Sequence, residues 1–85
     1  MPNENQKITL TIVSTSGDLT ESYNVHMKVE AVKVSAMAKL KIDPSMAKNY
    51  ELIYNGNTLP EDKTLAELAI PDGAILKLEP EPEVI

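Results

Sequence analysis

Apolar and polar positions alternate at the start of the chain. In "KITLTIVS", Ile8, Leu10 and Ile12 fall on one side and Thr9, Thr11 and Val13 on the other. A period of two in β-branched residues predicts a strand with one buried face. The pattern breaks at "TSGD", a turn signal around Gly17, and resumes in "LTESYNVHM" with Leu19, Glu21, Tyr23, Val25 and Met27 on one side, completing an N-terminal hairpin. From Val29 the period changes. Val29, Val32, Ala36 and Leu40 share one arc at 100° per residue, widened by Met37, which predicts an amphipathic helix ending near Ile42, with Asp43-Pro44 as its stop. Val34 and Ala38 lie off that arc. "NYELIYNG" returns to strand, with Leu52 between Tyr50 and Tyr54 on one face and Glu51 and Ile53 on the other. It ends on the hairpin dipeptide Asn55-Gly56, after which Leu59 returns as a short strand. Thr64-x-x-Glu67 has the spacing of a capping box over a short helical turn holding Leu65 and Leu68. Pro71-Asp72-Gly73 turns the chain into "AILKL", with Ala74, Leu76 and Leu78 inward and Ile75 and Lys77 outward.

Two hairpin-like pairs joined by one crossover helix predict an α+β domain with a mixed four- to five-stranded sheet. Its first and last strands run parallel at the centre, the β-grasp arrangement. At 85 residues the chain is one domain, too small to spare volume for a deep cleft. The expected division is a disordered N-terminus over 1–6, the domain over 7–79 and a flexible acidic Pro-Glu tail over 80–85.

Charge and composition narrow the function. Thirteen acidic residues against eight basic ones give −5, every basic residue is Lys, and the three aromatics are all Tyr. Without Arg forks or a stacking platform, and with this sign of charge, nucleic acid is not an expected partner. No apolar run approaches a membrane span, so the expectation is a cytoplasmic protein with no membrane partner. Residues 28–48 carry Lys28, Lys33, Lys39, Lys41 and Lys48 against Glu30 and Asp43, a locally basic stretch read as the solvated outer side of the helix. His26 is the single histidine and cysteine is absent. No metal pair, thiol nucleophile or Ser-His triad can be assembled, so neither enzymatic activity nor a cofactor is expected. His26 reads as a surface residue, and Glu61-Asp62 as negative charge favouring the N-terminus of the following turn.

The stretch "YELIYNGNTLPEDKTLAELAIPDGAILKL" resembles the second half of ubiquitin. It has a Leu-Ile-aromatic run, a turn Gly, a Leu three residues on, an acidic loop, Thr-Leu opening a helical turn, an Ile and a final alternating strand. The register is ungapped from Glu51 to Ile85, about two-fifths of the chain; the first half agrees in element order only. The resemblance implies a ubiquitin-like fold and a protein-binding site. The isoleucine central to ubiquitin's partner patch falls on Ile53 and the turn glycine on Gly56. The patch valine falls on Glu79, a neighbouring histidine on Lys77, the linkage lysine on Asn57, and flanking arginines on Glu51 and Glu81. The apolar centre is thus ringed by carboxylates, which implies weak binding, or none, to standard ubiquitin receptors.

In the same register the terminal glycines of ubiquitin fall on Val84 and Ile85, and the sequence contains no Gly-Gly. Glycine allows close backbone approach in an activating enzyme's channel, whereas Val and Ile are branched and stiff at Cβ. The prolines of "EPEPEVI" are expected to keep this segment extended and out of the sheet. Two functional expectations follow. One is a non-catalytic, monomeric protein–protein interaction module, docking through Ile53, Glu51, Gly56, Lys77 and Glu79 or through the lysine-bearing helix. The other is an unconventional modifier or carrier activated at the Ile85 carboxylate by a dedicated enzyme. An accessory subunit of a larger enzyme is a weaker third.

Overall fold

The computed structural model describes residues 6–81. Strands β1 (Lys7–Ser14) and β2 (Gly17–Asn24) form the first hairpin, followed by helix α1 (Val29–Lys39) and a 3₁₀ helix at Pro44–Asn49. Strands β3 (Tyr50–Tyr54), β4 (Asn57–Thr58) and β5 (Ile75–Pro80) complete the element order. The sheet order is β2-β1-β5-β3-β4, with β5 parallel to β1 and antiparallel to β3. This is the β-grasp arrangement expected from the alternation and turn signals.

One face of the sheet is closed by α1. Leu10, Ile12, Leu52, Leu76 and Leu78, the inward alternates of three strands, pack with Val29, Val32, Ala36 and Met37 of the helix. Leu65 joins them from the capping-box turn, where the box is reciprocal. Glu67 N–H donates to Thr64 Oγ1 at 3.0 Å and Thr64 N–H to Glu67 Oε1 at 2.9 Å. The Thr64 backbone N–H, followed by the Thr64 hydroxyl, holds the Glu67 carboxyl below its ordinary pKa.

Several expectations are corrected. β2 ends at Asn24 rather than running to Met27, because Asn24 pairs with Lys7, the first residue of β1, and no partner strand remains beyond it. The Asn24 side chain then accepts from His26 N–H and turns the chain, leaving His26 exposed. The helix stops at Lys39, ahead of the proline. Ile42 N–H reaches back to the Met37 carbonyl and Lys41 N–H to that of Ala38, with Lys41 at φ 63°. This is a Schellman motif with lysine in the left-handed position usually given to glycine. Pro44 instead opens the 3₁₀ helix, with Asp43 accepting from Ser45 N–H at 3.0 Å. The same motif closes the turn at 65–70, where Ala69 has φ 53° and Ile70 N–H donates to the Leu65 carbonyl.

Lys33 does not solvate the helix. It is 1% exposed; its Nζ donates to the Tyr50 carbonyl at 3.0 Å and forms an ion pair with Glu61. Glu61 therefore serves the helix rather than the turn after it. Backbone carbonyls of the same loop cap α1, with Val29 N–H donating to Lys63 and Glu30 N–H to Glu61. Lys39 pairs with Glu21 across to β2, which raises the lysine's pKa. Tyr23 is buried and its Oη has no hydrogen-bond partner. Burial pushes its phenol pKa up, against a smaller opposing pull from the neighbouring Ser35 hydroxyl.

The last strand also extends further than expected. β5 includes Pro80, opposite Tyr50, and Glu81 N–H donates to the Asn49 carbonyl at 2.6 Å. Odd-numbered residues of β5 thus exchange hydrogen bonds with β3. Pro80 turns its missing N–H toward β1, whose pairing with β5 has already ended at Val13 opposite Lys77. A proline is tolerated in a sheet at such a position. The remainder of the proposed tail, including Val84 and Ile85, lies outside the described residues.

Candidate functional site: the open face of the sheet

The sheet face away from α1 carries the outward alternates. Register sets them in rungs across β3 and β5: Ile53 opposite Lys77, then Glu51 opposite Glu79, with Glu81 bonded to Asn49 beyond. Four of the five expected site residues are therefore two adjacent cross-strand pairs. The fifth, Gly56, builds the turn that ends β3. Asn55 at φ 53° and Gly56 at φ 79° form the two-residue mirror-image turn that matches strand twist. A Cβ on Gly56 would meet nothing within 4 Å, so its glycine serves backbone conformation rather than close packing.

Ile75, left out of the expected site, belongs to it. It is 61% exposed on the central strand, one step along the outer row from Lys77, and with Ile53, Asn55, Gly56 and Lys77 it lines a shallow depression. The signal was present in the sequence. Ile75 sits at an outward position opposite Thr11 of β1, in a row where the neighbouring strand uses threonine.

Electrostatically the rungs differ. The Glu51–Glu79 pair sets like charges directly opposite, an arrangement that destabilises a sheet. Glu51 receives one side-chain hydrogen bond, from Thr58 Oγ1 at 3.3 Å. Among the described residues neither carboxylate has an ion-pair partner, since the two ion pairs are Lys33–Glu61 and Lys39–Glu21. No group of three or more potential metal ligands occurs among the described residues, and no helix there is long and apolar enough to cross a membrane.

No protein-family model and no curated protein matches the chain. Solved structures do. A ubiquitin from Caldiarchaeum subterraneum is 25% identical, with 92% of this chain and 98% of that one aligned at TM-score 0.76. The chain has the ubiquitin-like fold. A structure described as "Molecular Mimicry of SUMO promotes DNA repair" aligns at TM-score 0.81 with 21% identity, over 89% of this chain and 94% of that one. An N-terminal ubiquitin-like domain solved in solution aligns at 0.76 with 16% identity, over 100% of this chain and 84% of that one. In all, 529 solved chains match, and a fold so widely shared does not by itself select a role.

Proposed function

We propose that this ubiquitin-like protein is a non-catalytic interaction module whose docking surface is the β3–β5 half of the open sheet face. The observation that carries the reading is Ile75. A large apolar side chain held mostly in solvent on the central strand, beside Ile53 and over a shallow depression, gains burial only when another molecule covers it. The polar groups around it, Lys77, Glu51 and Glu79, have the makeup of a rim that sets orientation and partner choice more than affinity. Chemistry of its own is not part of the reading, because the lone histidine is exposed in a turn and the chain has no cysteine.

The test is capture from the source organism with three baits: the wild-type chain, Ile53→Asp, and Thr20→Asp on the opposite half of the same face. A partner kept by wild type and Thr20→Asp but lost by Ile53→Asp supports the module. Partners insensitive to Ile53→Asp place docking elsewhere. A covalent adduct through Ile85, seen as an ATP-dependent increase in intact mass, would replace the module with the modifier.

A further inference from the structure

Resting on that docking reading, we propose that the partner segment is a cationic amphipathic helix: an apolar anchor over Ile53 and Ile75, with Lys or Arg about one and two turns further along. Three observations lead there. Both strands are interior to the sheet, β5 between β1 and β3 and β3 between β5 and β4. The free edge of this half is β4, only two residues long, so an added strand has little to pair with, and a partner on the β3–β5 face must meet side chains. A helix lying on the face does so.

The face is also polar along its length. At the Asn55–Gly56 end stand Ile75 and Ile53; next come Glu51 and Glu79 in opposition, and last Glu81. Successive outward rungs are two residues apart, about 7 Å. At about 1.5 Å rise and 3.6 residues per turn, the positions that stay on the anchor's face, i+4 and then i+7 or i+8, lie about 6 and 10–12 Å along a helix, within reach of these rungs for a long basic side chain. Cations at those positions reach first the Glu51–Glu79 rung and then Glu81.

Charge complementarity gives the sign. Three carboxylates share the row with one ammonium, Lys77, and the opposed pair is relieved only by a positive charge placed between its members. Lys77 supplies the direction. It stands on the Ile53 rung and repels a cation there, so a partner laid in the reverse sense brings its basic residues against Lys77 and its apolar anchor against the carboxylates.

Two synthetic amphipathic helical peptides test this, sharing one Leu/Ile stripe and carrying Arg in one and Glu in the other at the positions one and two turns from the anchor. Each is titrated into the full-length, isotope-labelled chain while amide resonances are followed. The Arg peptide is expected to shift Ile53, Ile75 and Glu79 saturably and to bind about three- to ten-fold tighter than the Glu peptide, the gain two exposed ion pairs supply. Added salt should shrink that ratio. Glu51→Lys with Glu79→Lys should reverse the order. Should that double variant not fold by circular dichroism, Glu51→Gln with Glu79→Gln should shrink the difference to what Glu81 alone supplies. Equal or tighter binding of the Glu peptide on the same residues overturns the cationic partner while leaving the docking face standing. Shifts from the Arg peptide spread over other acidic surface, without saturation at Ile53 and Ile75, also overturn it. Absence of shifts on this face with both peptides overturns the cationic partner and the docking reading together.

Discussion

On the β1–β2 half of the open face Thr9 stands opposite Ser22 and Thr11 opposite Thr20, each pair within hydroxyl hydrogen-bond distance at 3.4 and 3.2 Å. On the β3–β5 half Glu51 stands opposite Glu79, and Ile75 projects into solvent. Both halves belong to one sheet over one core and follow the same alternation. The centre of the first half satisfies its polar groups internally with uncharged side chains, and the charged residues at its ends, Asp18 and Lys7, stand opposite uncharged Val13 and Asn24. The second leaves apolar area and like charge uncompensated, which the fold does not require. On the docking proposal, that contrast separates a surface finished by folding from one left for a partner.

The largest effect should come from the opposite row of the same strand. Leu76→Ala, at a side chain with no exposure, is expected to cost about 2–5 kcal/mol in urea unfolding. A cost below about 1 kcal/mol would mean that the buried row of β5 is not the core.

Next is Thr64→Ala, expected to cost about 1 kcal/mol as a lost cap. The capping box is the counterpart of the Glu51–Glu79 rung, because its carboxylate accepts from a backbone N–H at 2.9 Å whereas Glu51 accepts only from the Thr58 hydroxyl at 3.3 Å. The Glu67 pKa is depressed in the fold by the Thr64 N–H. Its contribution is therefore complete above the unfolded carboxylate pKa, about 4.3, and is lost as pH falls from there through the folded value. Glu67→Gln should be less stable at neutral pH and flatten this part of the acid dependence. An unchanged acid limb in urea titrations between about pH 5 and 3 would contradict the box.

The Glu79→Lys change inverts the sign of the effect. Replacing one of two opposed like charges should raise stability by about 0.2–1 kcal/mol while weakening capture of the face-dependent partner. A destabilised variant would show that the pair is compensated after all. Smallest is Ile75→Ser, expected within about 0.5 kcal/mol of wild type because the side chain is already in water. A loss above about 1.5 kcal/mol would make Ile75 structural and remove the main support for the docking surface.

Much of this was legible in the sequence because it is local. Alternation assigned the inward rows of β1 and β5, Asn55-Gly56 specified a mirror-image turn, and Thr64-x-x-Glu67 spelled out two reciprocal hydrogen bonds. What was not legible depends on partners distant in the chain. Lys33 looks like any helix lysine until Glu61 and the Tyr50 carbonyl, 28 and 17 residues on, meet its Nζ. Pro80 reads as a strand breaker until it is clear that β1 ends before reaching it. The Schellman stops at Lys41 and Ala69 carry no glycine, so they leave no mark in composition. Glu51, Ile53, Lys77 and Glu79 were individually marked by the resemblance to ubiquitin, but their opposition in pairs is a consequence of register, and Ile75, outward already in the sequence pattern, joined the candidate site once its exposure beside Ile53 was known.

The most direct measurement places a photo-crosslinking amino acid at position 75 in one version of the chain and at position 11 in another, then irradiates both in the source organism. Thr11 and Ile75 are register neighbours on β1 and β5, so nonspecific encounter labels them alike. A discrete adduct is expected from position 75, weakened by Glu79→Lys, and little from position 11. Equal adducts from both positions, or an adduct from position 75 indifferent to Glu79→Lys, would contradict the proposed docking face.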